Sequence, residues 1–556
     1  MKKVLFLIGF ALTLHSISAC AQPLSQKKSF TRQDTLRGSV TPERAWWDAT
    51  SYTISVIPDY NSRSISGSNL VQFKVLQPGQ TMQIDLQAPM QLSKALFQGK
   101  ELPLKQDGNV YYLQFPQQLT RGGQHAVVLE YKGVPRSAVN PPWDGGWIWK
   151  KDAKGRPWMS VAVQGLGASA WYPCKDYQGD EPDSAFMNIT VPDSLVAVAN
   201  GRLLGKTSNN GTTTWRWGVS NPINNYNLVP YIGKYVNWKD TYKGEKGNLD
   251  CSYWVLDYNE EKARKQFVQA HQTLQALEHW FGPYPFYEDN YKLVESPHLG
   301  MEHQSAVAYG NRFGNGYLGR DLSGSGWGLK WDYIIVHESG HEWFGNNITT
   351  KDVADMWVQE GFTDYSETLF TEFFHGKKAG SEYVQGLRAS IQNDMPIIGP
   401  YGVNQEGSGD MYYKGANLIH TIRQVINDDK LFRDILRGLN KDFYHKTVTT
   451  QQVEQYISQK SKIDFSKVFD QYLRTTQIPV LEFRPDKGGF ECRWTNCVEG
   501  FNMPVKTTTG KWIKPGTEWT RLKLDPEQVI SIDPNFYIKA NPSGNFFKQK
   551  QVSGRL

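Results

Sequence analysis

Trp331-Asp332-Tyr333-Ile334-Ile335-Val336-His337-Glu338-Ser339-Gly340-His341-Glu342-Trp343-Phe344 reads as one helical stretch. At a separation of four, His337 and His341 leave the same helix face about one turn apart, which suits two imidazole nitrogens on one metal ion. Glu338, next to the first imidazole, is placed to lean over a metal-bound water as a base. Zinc hydrolases keep three protein ligands and leave the fourth position to water, so a further ligand is needed. Glu360, nineteen positions after His341, is the best candidate. It lies in Trp357-Val358-Gln359-Glu360-Gly361-Phe362, at the start of a second amphipathic helix expected over 356–374. The expected cofactor is therefore one Zn2+ per chain, held by His337, His341 and Glu360.

Neighbouring segments add to this. Glu367 lies two turns beyond Glu360 on the same helix face, where it either orients a ligand or faces solvent. Asp355 is expected to cap that helix. The glycine-rich stretch 309–328 lacks the Lys followed by Ser or Thr of a phosphate loop, and reads as a mobile loop near the mouth of a cleft. Three further segments stand out: Gly300-Met301-Glu302-His303, Tyr412-Tyr413-Lys414-Gly415, and Trp171-Tyr172-Pro173-Cys174-Lys175-Asp176 with Asp180-Glu181-Pro182 behind it.

Together these segments resemble the membrane alanyl aminopeptidase family of gluzincin zinc aminopeptidases, which includes leukotriene hydrolase. The resemblance is sharpest over 295–415. It implies that Glu338 and Tyr412 are catalytic, that Gly300, Met301 and Glu302 bind substrate, and that Gln164 shares the substrate amine. A fixed carboxylate near the metal suits a cationic α-ammonium group, which agrees with the role implied for Glu302. The expected activity is removal of N-terminal residues from peptides by metal-activated water. Thermolysin-like endopeptidases use nearly the same ligand spacing, so a zinc endopeptidase is one alternative. A non-catalytic peptide-binding lipoprotein on the same fold is another. Two departures fall on the substrate side: Leu299 stands where the family often has Gly, and His303 where it has Asn.

Further out, short alternating runs such as Ile54 and Val56, or Val71, Phe73 and Val75, mark an antiparallel β domain. Helical spacing begins at Glu260 and runs to Trp280, with further helices expected over 415–426 and 465–473. After Pro479 short strands return. The reading is a multidomain α+β chain. It comprises an N-terminal β domain (46–245), a thermolysin-like, mostly helical zinc domain (246–477) and a small C-terminal β domain (478–556). The C-terminal helical superhelix domain of many family members is not expected, which leaves a more open cleft.

Lys2 and Lys3 ahead of an apolar run from Val4 to Leu14 mark an export signal (1–19). Ile17-Ser18-Ala19-Cys20 resembles the lipobox of a bacterial lipoprotein. The expectation is a lipid anchor on Cys20, a flexible tether (20–45), and a periplasm-facing or cell-surface location. The 556 residues carry 61 Lys and Arg against 55 Asp and Glu, an excess too small and too dispersed to suggest nucleic acid. Peptides with a free N-terminus and the membrane are the expected partners. Aromatic residues make up 13%, which excludes a disordered chain. Five cysteines without a C-x-x-C pair exclude a cysteine-rich metal module, and leave open whether Cys492 and Cys497 pair.

Overall fold

The computed structural model describes residues 29–486, 489–522 and 531–542. The export signal and Cys20 lie outside them. The N-terminal region is built on an eight-stranded sheet, in the order 202–209, 212–219, 184–192, 47–59, 64–75, 124–133, 91–97 and 100–101. Its pairs are antiparallel except one, Trp47–Asp59 against Ser184–Pro192, which is parallel. A parallel pair requires a long crossover, and here the rest of the sheet's first half supplies it. Sheets of three and four strands pack with it. Trp171, Tyr172 and Cys174 are fully buried in their shared core.

The segment expected to be a tether is folded where it is described. Arg32–Gly38 and Pro42–Ala45 are helices, the first started by a reciprocal cap between Thr31 and Asp34. Arg44 is fully buried and meets Asp85 at 2.5 Å, and Arg37 meets Asp176 at 3.1 Å. Apolar periodicity does not reveal helices this short, because charged contacts with distant residues hold them.

A five-stranded sheet joins the two halves of the molecule, in the order Tyr235–Gly244, Gly247–Leu256, Tyr291–Glu295, Val307–Tyr309, Gly300–Met301. Side chains alternate across it with period two. Trp254, Val294, Met301 and Ala308 enter the β-domain core, while Tyr253, Leu293, Val307 and Tyr309 enter the core of the helical region. The sheet thus carries its edge strand, Gly300–Met301, to the junction of the two cores.

The helix expected over 260–280 is two helices, Glu260–Gln266 and Val268–Phe281. The break at Phe267 seats its ring edge-on to Tyr309, 4.8 Å away. The motif helix is shorter than expected, Tyr333–Gly340, with Asp332 accepting from the amides of Ile334 and Ile335. The next two helices, Trp357–His375 and Tyr413–Ile426, cross at Gly361 and Gly415. A β-carbon on Gly415 would lie 3.0 Å from the α-carbon of Gly361, so this close approach requires glycine. The strands after Pro479 form small sheets. Leu481, Phe483, Cys492 and Trp494 join the core of the helical region instead of enclosing one of their own. Cys174, Cys251, Cys492 and Cys497 are free thiols.

Candidate metal centre

His337, His341 and Glu360 converge in the interior. Their ligand atoms lie within 4.8 Å of one another, and all three residues are buried. Glu360 Oε2 is 3.3 Å from His341 Nε2 and 4.0 Å from His337 Nε2. It meets no hydrogen-bond geometry with any protein donor. The far nitrogen of each ring is already engaged. His337 Nδ1 lies 2.7 Å from Glu367 Oε1, and His341 Nδ1 lies 3.0 Å from the Phe344 carbonyl and 3.1 Å from Thr363 Oγ1. These contacts turn both Nε2 atoms toward the orphaned carboxylate oxygen. Two imidazoles and a carboxylate with an engaged outer shell are the donor set of a hydrolytic zinc site, so the residues fit that ion.

Glu367 therefore orients His337, and its other oxygen accepts from the Tyr383 hydroxyl at 2.5 Å. Asp355 does not cap the Glu360 helix. It accepts from Tyr401 and Thr450, while Asp352 caps the short turn before the helix. Thr363 and Tyr383 were not foreseen; they come from faces whose meeting with the motif helix is a matter of packing.

A cavity of 130 Å³ opens on the cluster and is lined by Gln164, Gly300, Met301, Glu302, Glu338 and Tyr412 together with the three candidate ligands. Glu338 lines it, and burial first, Glu302 second, push its carboxyl well above the usual range. A dication beside these carboxyls acts in the opposite direction. Gly300 makes room for Glu338: a β-carbon there would lie 2.4 Å from Glu338 Oε1. Glu302 is 2% exposed and accepts from the Tyr226 hydroxyl at 2.8 Å, while Asn346 Nδ2 donates to its backbone carbonyl at 2.8 Å. Tyr226 was missed as well, since it lies in a polar run between strands with no periodic signal. Gln164 Nε2 donates to Glu360 Oε1 at 3.2 Å, so in this structure it steadies the third ligand. The Tyr412 ring lies 6.2 Å from the His337 ring, at the start of its helix. Tyr317 and Leu322 bring the glycine-rich segment to the same cavity. His303 does not line the cavity and meets the Tyr231 hydroxyl at 2.5 Å. Glu406 also lines the cavity, and burial, then Glu360 and Glu302, raise it to about 7.

The fold and the donor set define a gluzincin-type zinc metallohydrolase. Residues 267–472 match the family model described as Peptidase family M1 domain. The chain is 22% identical over 458 residues to leukotriene A-4 hydrolase of Xenopus laevis, covering 77% of this chain and 71% of that protein. It is 21% identical over 521 residues to human aminopeptidase B, covering 86% and 74%. An M1 zinc metallopeptidase from Deinococcus radiodurans has the same fold, with a TM-score of 0.65 at 20% identity over 78% of this chain and 96% of that one. The segment that carries the candidate zinc ligands, residues 267–472, is thus similar to the M1 peptidase family.

Proposed function

We propose that this protein is a zinc aminopeptidase that removes N-terminal residues from peptides and is held at a membrane surface through a lipid on Cys20. The carrying observation is the buried carboxylate of Glu302, fixed by Tyr226 in the same cavity as the ligand cluster. A buried carboxylate there has a use for an ammonium group and none for the neutral amide of an internal bond. The endopeptidase and binding-only readings gain no support from the site.

Zinc bound by His337, His341 and Glu360 supplies Lewis acidity, which lowers the pKa of a coordinated water and polarises a carbonyl. Glu302 holds the substrate ammonium and so sets which carbonyl reaches the cluster. Glu338 takes the proton of the attacking water and passes it to the departing nitrogen. The Tyr412 hydroxyl donates to the carbonyl oxygen as it gains charge. The lipid anchor rests on the sequence around Cys20 alone. No helix among the described residues is long and apolar enough to cross a membrane.

The test is an aminoacyl amide or short peptide assayed with and without N-acetylation, and with and without a chelator. Cleavage of only the free-amine form, abolished by the chelator, is expected. Equal rates on the free and acetylated forms would refute the exopeptidase assignment.

A further inference from the structure

A second cavity, of 730 Å³, adjoins the first and shares Trp143 and Leu299 with it. Its position relative to the cleaved bond follows from the edge strand, and that step rests on the aminopeptidase reading. Gly300–Met301 is paired only on its Val307–Tyr309 side, and its free edge faces the cleft. An extended peptide can add to such an edge by main-chain hydrogen bonds. Glu302, which takes the ammonium, stands just past the C-terminal end of this strand, and Glu338 reaches the strand at Gly300. The peptide must therefore run antiparallel to the strand, with its first residue near Glu302 and its scissile bond beside Gly300. The leaving portion continues past Leu299 toward Pro297. At about 3.3 Å per residue, the second and third residues after the cleaved bond reach the second cavity.

Cationic side chains outnumber carboxylates in the lining of that cavity. Lys150, Lys262 and Arg312 line it, and Lys262 and Arg312 are exposed. Lys150 is anchored at the cavity wall by donating to the Pro297 carbonyl at 2.7 Å. The carboxyl group in the lining is Glu295, whose oxygens already accept from the Leu256 amide at 2.8 Å and Asn259 Nδ2 at 2.7 Å. Nearby Asp257 is paired with Arg156 at 2.7 Å. Trp158, Tyr258 and Phe313 give the cationic groups apolar walls.

The geometry points to a downstream subsite that selects peptides carrying a carboxylate, terminal or side-chain, two or three residues after the bond that is cut. Its probes are matched tetrapeptides: one with a free C-terminus, one amidated, and one amidated with Glu as its last residue. The ratio of kcat/KM for either carboxylate peptide over the neutral amidated one is expected to exceed unity by between about three- and tenfold. It should fall toward one in the double variant Lys262→Glu/Arg312→Glu, and at high salt. Comparing the two carboxylate peptides separates a terminal from a side-chain group. Because the readout is a ratio within one protein, a partly folded variant does not mimic the effect. A second arm measures calorimetric binding of the same peptides to the zinc-loaded Glu338→Gln protein, which does not depend on turnover. A ratio near one in the unaltered protein, or equal affinities in the binding arm, would overturn the subsite. Absence of any cleavage together with carboxylate-selective binding would overturn the aminopeptidase reading alone.

Discussion

Tyr226 shows how much of this site depends on a single hydroxyl. It donates to Glu302 Oε1 from 76 positions away in the sequence, leaving the other oxygen for a substrate ammonium. Removing it in Tyr226→Phe leaves Glu302 buried and less well held. KM for free-amine substrates should rise roughly tenfold, with a smaller change in kcat. An unchanged KM would show that the hydroxyl has no part in amine binding. Glu338 behaves differently, since it moves protons instead of holding substrate. Glu338→Gln should lower kcat by about 10² to 10⁴ while elemental analysis still finds one zinc per chain. Loss of the metal with the activity would instead make Glu338 a structural support for the ligands.

Between elements, the decisive contact is the crossing of the helices Trp357–His375 and Tyr413–Ile426 at Gly361 and Gly415. Glu360 and Tyr412 come from these two helices and reach the same cavity because their backbones approach so closely. In isolation Gly415→Ala favours a helix by about 1 kcal/mol. Here the new methyl group meets the backbone of Gly361 and pushes the helices apart. Displacements near 1 Å at a catalytic group can cost about 10² in rate. The expected outcome is a kcat lowered at least tenfold with the far-ultraviolet dichroism preserved, and full activity would show that the crossing has slack. The motif helix is similarly exacting. Its eight residues end at Gly340, so His341 takes its place through the cap geometry, one turn after His337.

At the scale of the molecule, the five-stranded sheet couples the β domain to the helical region, and Glu295 sits at the end of one of its central strands. Burial raises its carboxyl from an ordinary 4.5 to about 7, against the pull of the Leu256 amide and Asn259. The folded protein therefore holds this proton more tightly than the unfolded chain does. The associated stability is whole below pH 4.5 and is lost as the pH rises through about 7. Lys292, lowered by burial to about 7, acts in the opposite sense, and only above that pH. Between about pH 5 and pH 7 the Tm of the unaltered protein should therefore fall relative to that of Glu295→Gln. Identical slopes in the two proteins would remove Glu295 from the account.

The sequence by itself determined what depends on short-range geometry. Four positions on a helix place His337 and His341 on one face, seven more keep Glu367 in line with Glu360, and period-two alternation marks the strands. These relations hold wherever the segments end up in space. The tertiary structure decided everything that depends on two distant segments meeting. Glu367 could have faced solvent, and packing placed it on His337. The segment before Trp46 has no apolar period, yet buried ion pairs with Asp85 and Asp176 fold it. The strands after Pro479 alternate like a separate domain, yet their apolar side chains complete the helical core. Tyr226 and the cavity beyond Leu299 left no trace in the order of residues. Contacts of that kind arise only once a hydrophobic core has chosen which faces touch, and that choice is made by the whole chain at once.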